Sequence, residues 1–249
     1  MTYRVLVVDD EESIRYTFSE FLSEAGYRVD TACNAEEART FIATQRFDVV
    51  FLDILLGSDN GMDILKFSKE LNPNCPVLMV TGSPEISTAA EAVRLSAYDY
   101  LLKPVRQDEL VKHAERAVAY KKAIDDRERF MKRMRAVFQG VAEGVLIFSP
   151  GMEVIDINHS AMKMLHIEES PIGRKLGDIA EGNKILTELE GLVESRVEGE
   201  LFKLEFIRES GESLLLSISL SPLISGDGRD DDLVMVLRDE SLPVREVAV

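Results

Sequence analysis

Residues 4–13, RVLVVDDEES, run from an apolar stretch straight into four acids: Asp9, Asp10, Glu11 and Glu12. Two carboxylates about 4 Å apart repel by roughly 4 kcal/mol at an effective dielectric of 20, so the cluster calls for a cation. Three more residues with chemical potential each end an apolar run: Asp53 after VVFL, Thr81 after VLMV and Lys103 after YDYLL. Gathered carboxylates form an all-oxygen donor set that suits Mg²⁺. The ion would dominate the local charge and keep the acids ionised. Asp53 is the candidate nucleophile, because a carboxylate can form an acyl phosphate. Such a transfer needs charge neutralised on the three equatorial oxygens of the phosphoryl group. Mg²⁺ would take one and the Lys103 ammonium another. The Thr81 hydroxyl and nearby backbone N–H groups would take the third, and Gly82 leaves the donor room. Each part alone is ordinary, since a strand is often followed by Asp or by Lys-Pro. Five parts in this order, each at a strand end, are specific.

The elements that must hold them alternate over the first 105 residues. Strands are predicted at 4–8, 27–32, 47–53, 75–81 and 98–103, mostly as continuous apolar runs of the kind buried on both faces. Amphipathic segments lie between them. Ile14, Phe18, Phe21 and Leu22 share one face of the first, and Gly26 is its stop. Asn34 and Glu37 make a capping-box-like start for the second, and Ser83-Pro84 an N-cap and first turn for the fourth. Five βα units predict an open, doubly wound parallel sheet, whose ligands bind outside the carboxyl ends of the strands.

From Gln107 a helical pattern continues beyond that domain. Ala117, Tyr120, Ile124, Arg127, Met131, Met134 and Phe138 recur at alternating steps of three and four, a heptad seam with one charged slot. A two-stranded coiled coil over 107–138 is the expectation. After Gly140 to Gly144 the pattern turns β-rich: strands at 144–148 and 153–158, helical stretches at 160–167 and 183–195, then strands at 201–210, 213–223 and 232–240. SGES and SGDGRDDD are their hairpin turns. This reads as an α+β domain with an antiparallel sheet.

The net charge is −16, carried by the two ends of the chain, while residues 106–139 hold +4. Such acidity argues against direct nucleic acid binding by this chain, and the basic middle is explained by a solvated helix. No apolar run is long enough to cross a bilayer, no secretory start is visible, and the two cysteines, Cys33 and Cys75, suit buried thiols in a reducing cytoplasm.

Residues 3–120 resemble the receiver domain of bacterial two-component response regulators, on the motifs VLVVDDEESIR, DVVFLDILLGSDNGMDIL, VLMVTG and SAYDYLLKPV. The resemblance implies a flavodoxin-like fold with strand order 2-1-3-4-5. It implies Asp53 as phosphoacceptor, with Mg²⁺ held by Asp10, Asp53 and the carbonyl of Leu55, and by Asp9 through water. Thr81 and Lys103 would be the switch hydroxyl and the phosphate-binding lysine, and Tyr100 the switch aromatic. Leu56-Gly57 stands where the family often has Met-Pro, which predicts a looser loop there.

Residues 130–241 resemble a PAS domain, on MRAVFQGVAEGVLIFSPGMEVIDINHSAMKMLHI and DDLVMVLRDES, with Asn158 where such domains begin a short helix. The domain limits expected are 1–120, 107–138 for the linker, 130–241, and a tail at 242–249. No cysteine lies in the second half, which argues against a flavin photosensor. His159 and His166 lie outside the long helix where a haem ligand is expected, which argues against haem. A small apolar PAS ligand, or none, stays open. There is no Walker loop, His113 lacks the setting of a kinase dimerisation helix, and no helix-turn-helix pattern appears.

Together these features predict a response regulator phosphorylated on Asp53 by a partner histidine kinase or phosphotransfer protein. The signal would pass through the helical linker to a dimeric PAS domain. No enzyme activity is expected beyond the receiver's own phosphoryl transfer and dephosphorylation. Two other readings remain: a PAS ligand sensor, and the N-terminal input half of a larger histidine kinase or transcription activator.

Overall fold

The computed structural model describes residues 2–83, 85–180, 183–194, 201–207, 213–223 and 232–241. The chain divides into two units, residues 1–130 and 131–249.

In the first unit the elements run β1 (Arg4–Val8), α1 (Glu12–Glu24), β2 (Arg28–Ala32), α2 (Ala35–Thr44), β3 (Val49–Asp53), β4 (Leu55–Leu56), β5 (Asp59–Asn60), α3 (Gly61–Leu71), β6 (Val77–Thr81), α4 (Ile86–Arg94), β7 (Asp99–Leu102) and the first part of α5 (Gln107–Gly140), whose last ten residues belong to the second unit. Five strands form one parallel sheet in the order β2-β1-β3-β6-β7. The short ladder β4-β5 stands apart from it. With β4 and β5 set aside, this is the predicted 2-1-3-4-5 order.

The apolar runs explain why the three central strands are buried on both faces. Val5, Val7, Val49, Phe51, Leu78 and Val80 pack with Phe18 and Leu22 of α1 and with Leu110, Ala114 and Ala117 of α5. Leu6, Val8, Val50, Leu52, Val77 and Met79 face the other way, onto Ala38 of α2, Ile64 and Leu65 of α3 and Ala92 of α4. Alternate residues of one strand feed alternate layers, as a period of two requires. Fully burying each Val or Leu contributes about 1.5–3 kcal/mol, which fixes the strand register that lines up the functional ends.

Local details differ from the sequence expectations. Asn34 caps α2 by accepting from Glu37 N–H, but the Glu37 carboxylate bonds Cys33 N–H and not the cap residue. Helix α4 starts at Ile86 with Glu85 at its cap and no side-chain cap bond. Ser83 is not the cap, because its N–H is drawn back to the Thr81 hydroxyl at 3.1 Å. Pro84 lies outside the described residues. In the loop after β3, Gly57, at φ +62°, turns the chain into the β4-β5 hairpin.

In the second unit, β8 (Gly144–Phe148), β9 (Val154–Ile157), β10 (Leu201–Ile207), β11 (Ser213–Leu223) and β12 (Asp232–Asp239) form an antiparallel sheet in the order β10-β11-β12-β8-β9. Helices α6 (His159–Met164), α7 (Leu176–Ala180) and α8 (Lys184–Glu194) bury Ala161, Leu176, Leu186 and Leu189 with Leu146, Phe148, Leu216, Ile218 and Met235 of the sheet. Helix α7 has no counterpart in the sequence reading, because five residues carry too little periodicity. The predicted SGES and SGDGRDDD turns lie largely outside the described residues, and the 242–249 tail lies wholly outside them.

Asn158 is fully buried and fully bonded. Its Oδ1 accepts from Val145 and Ala161 N–H, both at 2.9 Å. Its Nδ2 donates to the carbonyls of Glu143 at 2.8 Å and Phe138 at 3.1 Å. One amide thus ties the end of α5 to β8 and α6. Gln139 adds to that clamp by donating to Ile157 O and accepting from His159 N–H.

Helix α5 is 34 residues long and continuous. The first seam positions are used inside the first unit: Ala117 is buried there, and the Tyr120 ring lies 4.9 Å from Tyr98. Further along, Phe130, Met131, Met134 and Val137 are about half exposed or more.

Candidate functional site

The carboxyl ends of β1, β3, β6 and β7 lie on one edge of the first sheet, since all four strands are parallel and in register. Asp53 is the last residue of β3 and Thr81 the last of β6. Asp9 and Asp10 follow β1 directly, and Lys103 follows β7.

The structure brings Asp9, Asp10 and Asp53 together, with carboxylate oxygens within 4.8 Å of one another. Asp9 and Asp53 are buried and Asp10 is exposed. The Lys103 ammonium lies 2.7 Å from Asp9 Oδ2, 2.7 Å from Asp53 Oδ2 and 3.4 Å from Glu11 Oε1. Each oxygen of Asp53 therefore has a donor, because Oδ1 accepts from Leu55 N–H at 3.2 Å. Asp9 Oδ1 accepts from Glu11 N–H at 3.0 Å.

The electrostatics follow from burial. Loss of solvent pushes the Asp9 carboxyl above the usual carboxylate range, and the hydrogen bond from Lys103 only partly offsets it. Burial also works to lower the Lys103 ammonium. Its hydrogen bonds to Asp53 and Asp9 outweigh that, and hold it above the ordinary lysine range.

These residues fit a hard divalent cation. Three carboxylates meet one ammonium, which leaves excess negative charge on oxygen donors at a rigid sheet edge. Asp9, Asp10 and Asp53 are placed to hold such an ion.

Thr81 and Tyr100 make their side-chain hydrogen bonds elsewhere. Thr81 Oγ1 accepts from Ser83 N–H, and the Tyr100 hydroxyl is 3.3 Å from Thr88 Oγ1 on α4. Leu55, the expected carbonyl ligand, is exposed and pairs with Asn60 in the hairpin.

Two contributors escaped the sequence reading. Arg15 of α1 donates from one Nη1 to the carbonyls of both Asp9 and Asp10, each at 2.8 Å, and holds the acidic turn from behind. Gly61, at the start of α3, packs against the peptide of Asp53. The residue before it, Asn60, caps α3 by accepting from Met62 N–H.

The comparisons with known proteins agree with this geometry. Residues 5–115 match the sequence model of the response regulator receiver domain, and residues 142–241 that of a PAS domain. Over 107 residues the chain is 44% identical to the alginate biosynthesis transcriptional regulatory protein AlgB of Pseudomonas putida, which covers 43% of this chain and 24% of that protein. Over 120 residues it is 38% identical to the nitrogen assimilation regulatory protein NtrX of Azorhizobium caulinodans, covering 47% and 26%. A crystal structure of NtrX from Brucella abortus aligns with a TM-score of 0.50 and 34% identity, over 57% of this chain and 35% of that one. The chain thus spans about a quarter of the curated relatives it matches. The first of them is named a transcriptional regulatory protein, so the expectation of no direct nucleic acid contact gains no support from them. Among the described residues no helix is long and apolar enough to cross a membrane. The chain thus joins a response regulator receiver domain, over residues 5–115, to a PAS domain, over residues 142–241.

Proposed function

We propose that the receiver takes a phosphoryl group on Asp53 from a partner histidine kinase or phosphotransfer protein, and passes the change through α5 to the PAS domain. The observation that carries this reading is the Lys103 ammonium held 2.7 Å from Asp53 Oδ2, beside two more carboxylates able to hold Mg²⁺. Asp9, Asp10, Asp53 and the Leu55 carbonyl would be its ligands, Asp9 through water. Once bound, the ion would neutralise charge on the transferred group.

The chain's own residues do the rest. An Asp53 oxygen attacks phosphorus in line with the leaving oxygen, and the phosphoryl group moves from donor to carboxylate. Lys103 neutralises a second equatorial oxygen. The Thr81 hydroxyl turns from Ser83 toward the third. Tyr100 then leaves Thr88 and fills the space behind Thr81, which alters the face built by α4, β7 and α5. Asp53 trades one negative charge for about two, and charge-assisted hydrogen bonds supply the bias.

The exposed Phe130, Met131, Met134 and Val137 on α5 support pairing of two chains along that helix. The test of the central claim is intact mass after acetyl phosphate with Mg²⁺. Wild type should gain one phosphoryl group, and Asp53→Asn or chelation should abolish the gain. Equal labelling of Asp53→Asn would reject Asp53 as acceptor.

A further inference from the structure

Gly61 opens α3, and close packing ties that helix end to the phosphoacceptor strand. Its N–H donates to Ile54 O at 2.8 Å. A Cβ at this position would lie 2.0 Å from the Asp53 carbonyl oxygen and 3.1 Å from Ile54 Cα. Those are backbone atoms, which cannot swing aside as the tip of a long side chain can. Any larger residue must therefore move the end of β3 or the start of α3.

The reason for glycine here is proximity and not torsion. Gly26, Gly57 and Gly173 are the glycines with positive φ among the described residues, and Gly61 is not one of them. Gly26 and Gly57 look onto open space, whereas Gly61 does not. The helix end that Gly61 seats is pinned again by Asn60, whose side chain accepts from Met62 N–H at 2.9 Å. The segment under it carries Asp53, Ile54 and Leu55, and Leu55 N–H in turn holds Asp53 Oδ1.

We infer that Gly61 is a positioning residue for phosphoryl transfer, setting the Asp53 carboxylate and the Leu55 peptide through the close seating of α3 on β3. This rests on the phosphoacceptor reading above. Gly61 touches none of the reacting atoms and acts through Asp53 and Leu55 alone.

The test uses the full chain and compares Gly61→Ala with Gly26→Ala, which strains a positive-φ turn away from the acids. Calorimetric titration with Mg²⁺ alone should show about tenfold weaker binding for Gly61→Ala and wild-type binding for Gly26→Ala. At saturating acetyl phosphate the labelling rate of Gly61→Ala should fall about tenfold, with the half-saturating donor concentration little changed. Asn60→Ala frees the same helix end without adding bulk, and should weaken Mg²⁺ binding about threefold. A folded Gly61→Ala with wild-type affinity and rate would overturn the inference, as would an equal loss in Gly26→Ala. Should Gly61→Ala not fold, unchanged Mg²⁺ affinity in Asn60→Ala would overturn it instead. If wild type takes no phosphoryl group, the phosphoacceptor reading fails, and the Mg²⁺ titrations still decide whether Gly61 positions the acidic cluster.

Discussion

The Lys103 ammonium lies 2.7 Å from Asp53 Oδ2, across fifty residues of sequence, and 2.7 Å from Asp9 Oδ2 as well. One lysine is thus the counter-ion of two buried acids that come from different strands. Removing it leaves both carboxylates without their cation. Lys103→Ala should lose about 1–3 kcal/mol of stability in urea melts with chelator present, the cost of leaving buried acceptors without their donor. Mg²⁺ should restore most of that loss, because a divalent ion can take over the neutralisation. Phosphorylation should stay at least about a hundredfold slower even with Mg²⁺, since one equatorial oxygen has lost its partner. Equal destabilisation with and without Mg²⁺ would show that the lysine is not serving those acids.

Asp9 makes a second case, with a definite sign. Its folded-state pKa is raised, mainly by burial. Its favourable contribution to stability is therefore present below the ordinary aspartate value near ~4, and is lost as pH rises through the raised value. At neutral pH the ionised Asp9 is a net cost to the metal-free fold. Asp9→Asn should raise the melting temperature by about 3 °C at pH 7 without divalent ions. The gain should shrink as pH falls toward 4 and should reverse when Mg²⁺ is added. A lower Tm for Asp9→Asn in chelator at pH 7 would contradict this.

Why these residues could be read from sequence, and others could not, has a physical basis. Val5 to Val8, Val49 to Leu52 and Val77 to Val80 are unbroken apolar runs, and a parallel sheet puts the next residue of each at one edge. Asp9, Asp53 and Thr81 were therefore legible from position alone. Arg15 was not, because it binds main-chain carbonyls, and any residue type supplies those. Gly61 was not, because a missing Cβ leaves no pattern until the opposing backbone is in place. The α5 seam misled in part: Ala117 and Tyr120 satisfy the heptad but are spent on Val118's side of the first core and on Tyr98. Apolar spacing records that a face is covered and says nothing of what covers it.

Asn158 carries the next prediction. Substituting alanine would strand the N–H groups of Val145 and Ala161 and the carbonyls of Phe138 and Glu143. Each buried group left unpaired costs about 1–3 kcal/mol, relieved in part where water can enter. Asn158→Ala should destabilise the second unit by about 3 kcal/mol in urea, and should leave Asp53 phosphorylation by acetyl phosphate unchanged. Asn158→Asp keeps both acceptor bonds but replaces the donating Nδ2 with a carboxylate oxygen facing the carbonyls of Phe138 and Glu143, so it should be nearly as costly. A loss under about 1 kcal/mol for both would show that the amide is dispensable.

The last prediction concerns α5. Phe130 is 61% exposed, Met131 59%, Met134 47% and Val137 59%, a run of large apolar side chains on one face of a helix. Arg129 is meanwhile occupied by Asp126 on the polar side. Water would strip such a stripe of its hydrophobic stabilisation, whereas a second α5 would cover it at the heptad spacing the seam already has. Two acidic substitutions at neighbouring seam positions, Met131→Glu with Met134→Glu, set like charges on both helices across any such interface. The pair should convert dimer to monomer in analytical ultracentrifugation at micromolar concentration. Helix content should fall only slightly, because Glu is as good a helix former as Met. Acetyl phosphate labelling of Asp53 should persist, since none of the site residues lies on this stretch. If the doubly substituted protein sediments as wild type does, pairing runs through another surface, or the wild type is a monomer and the stripe meets a different protein.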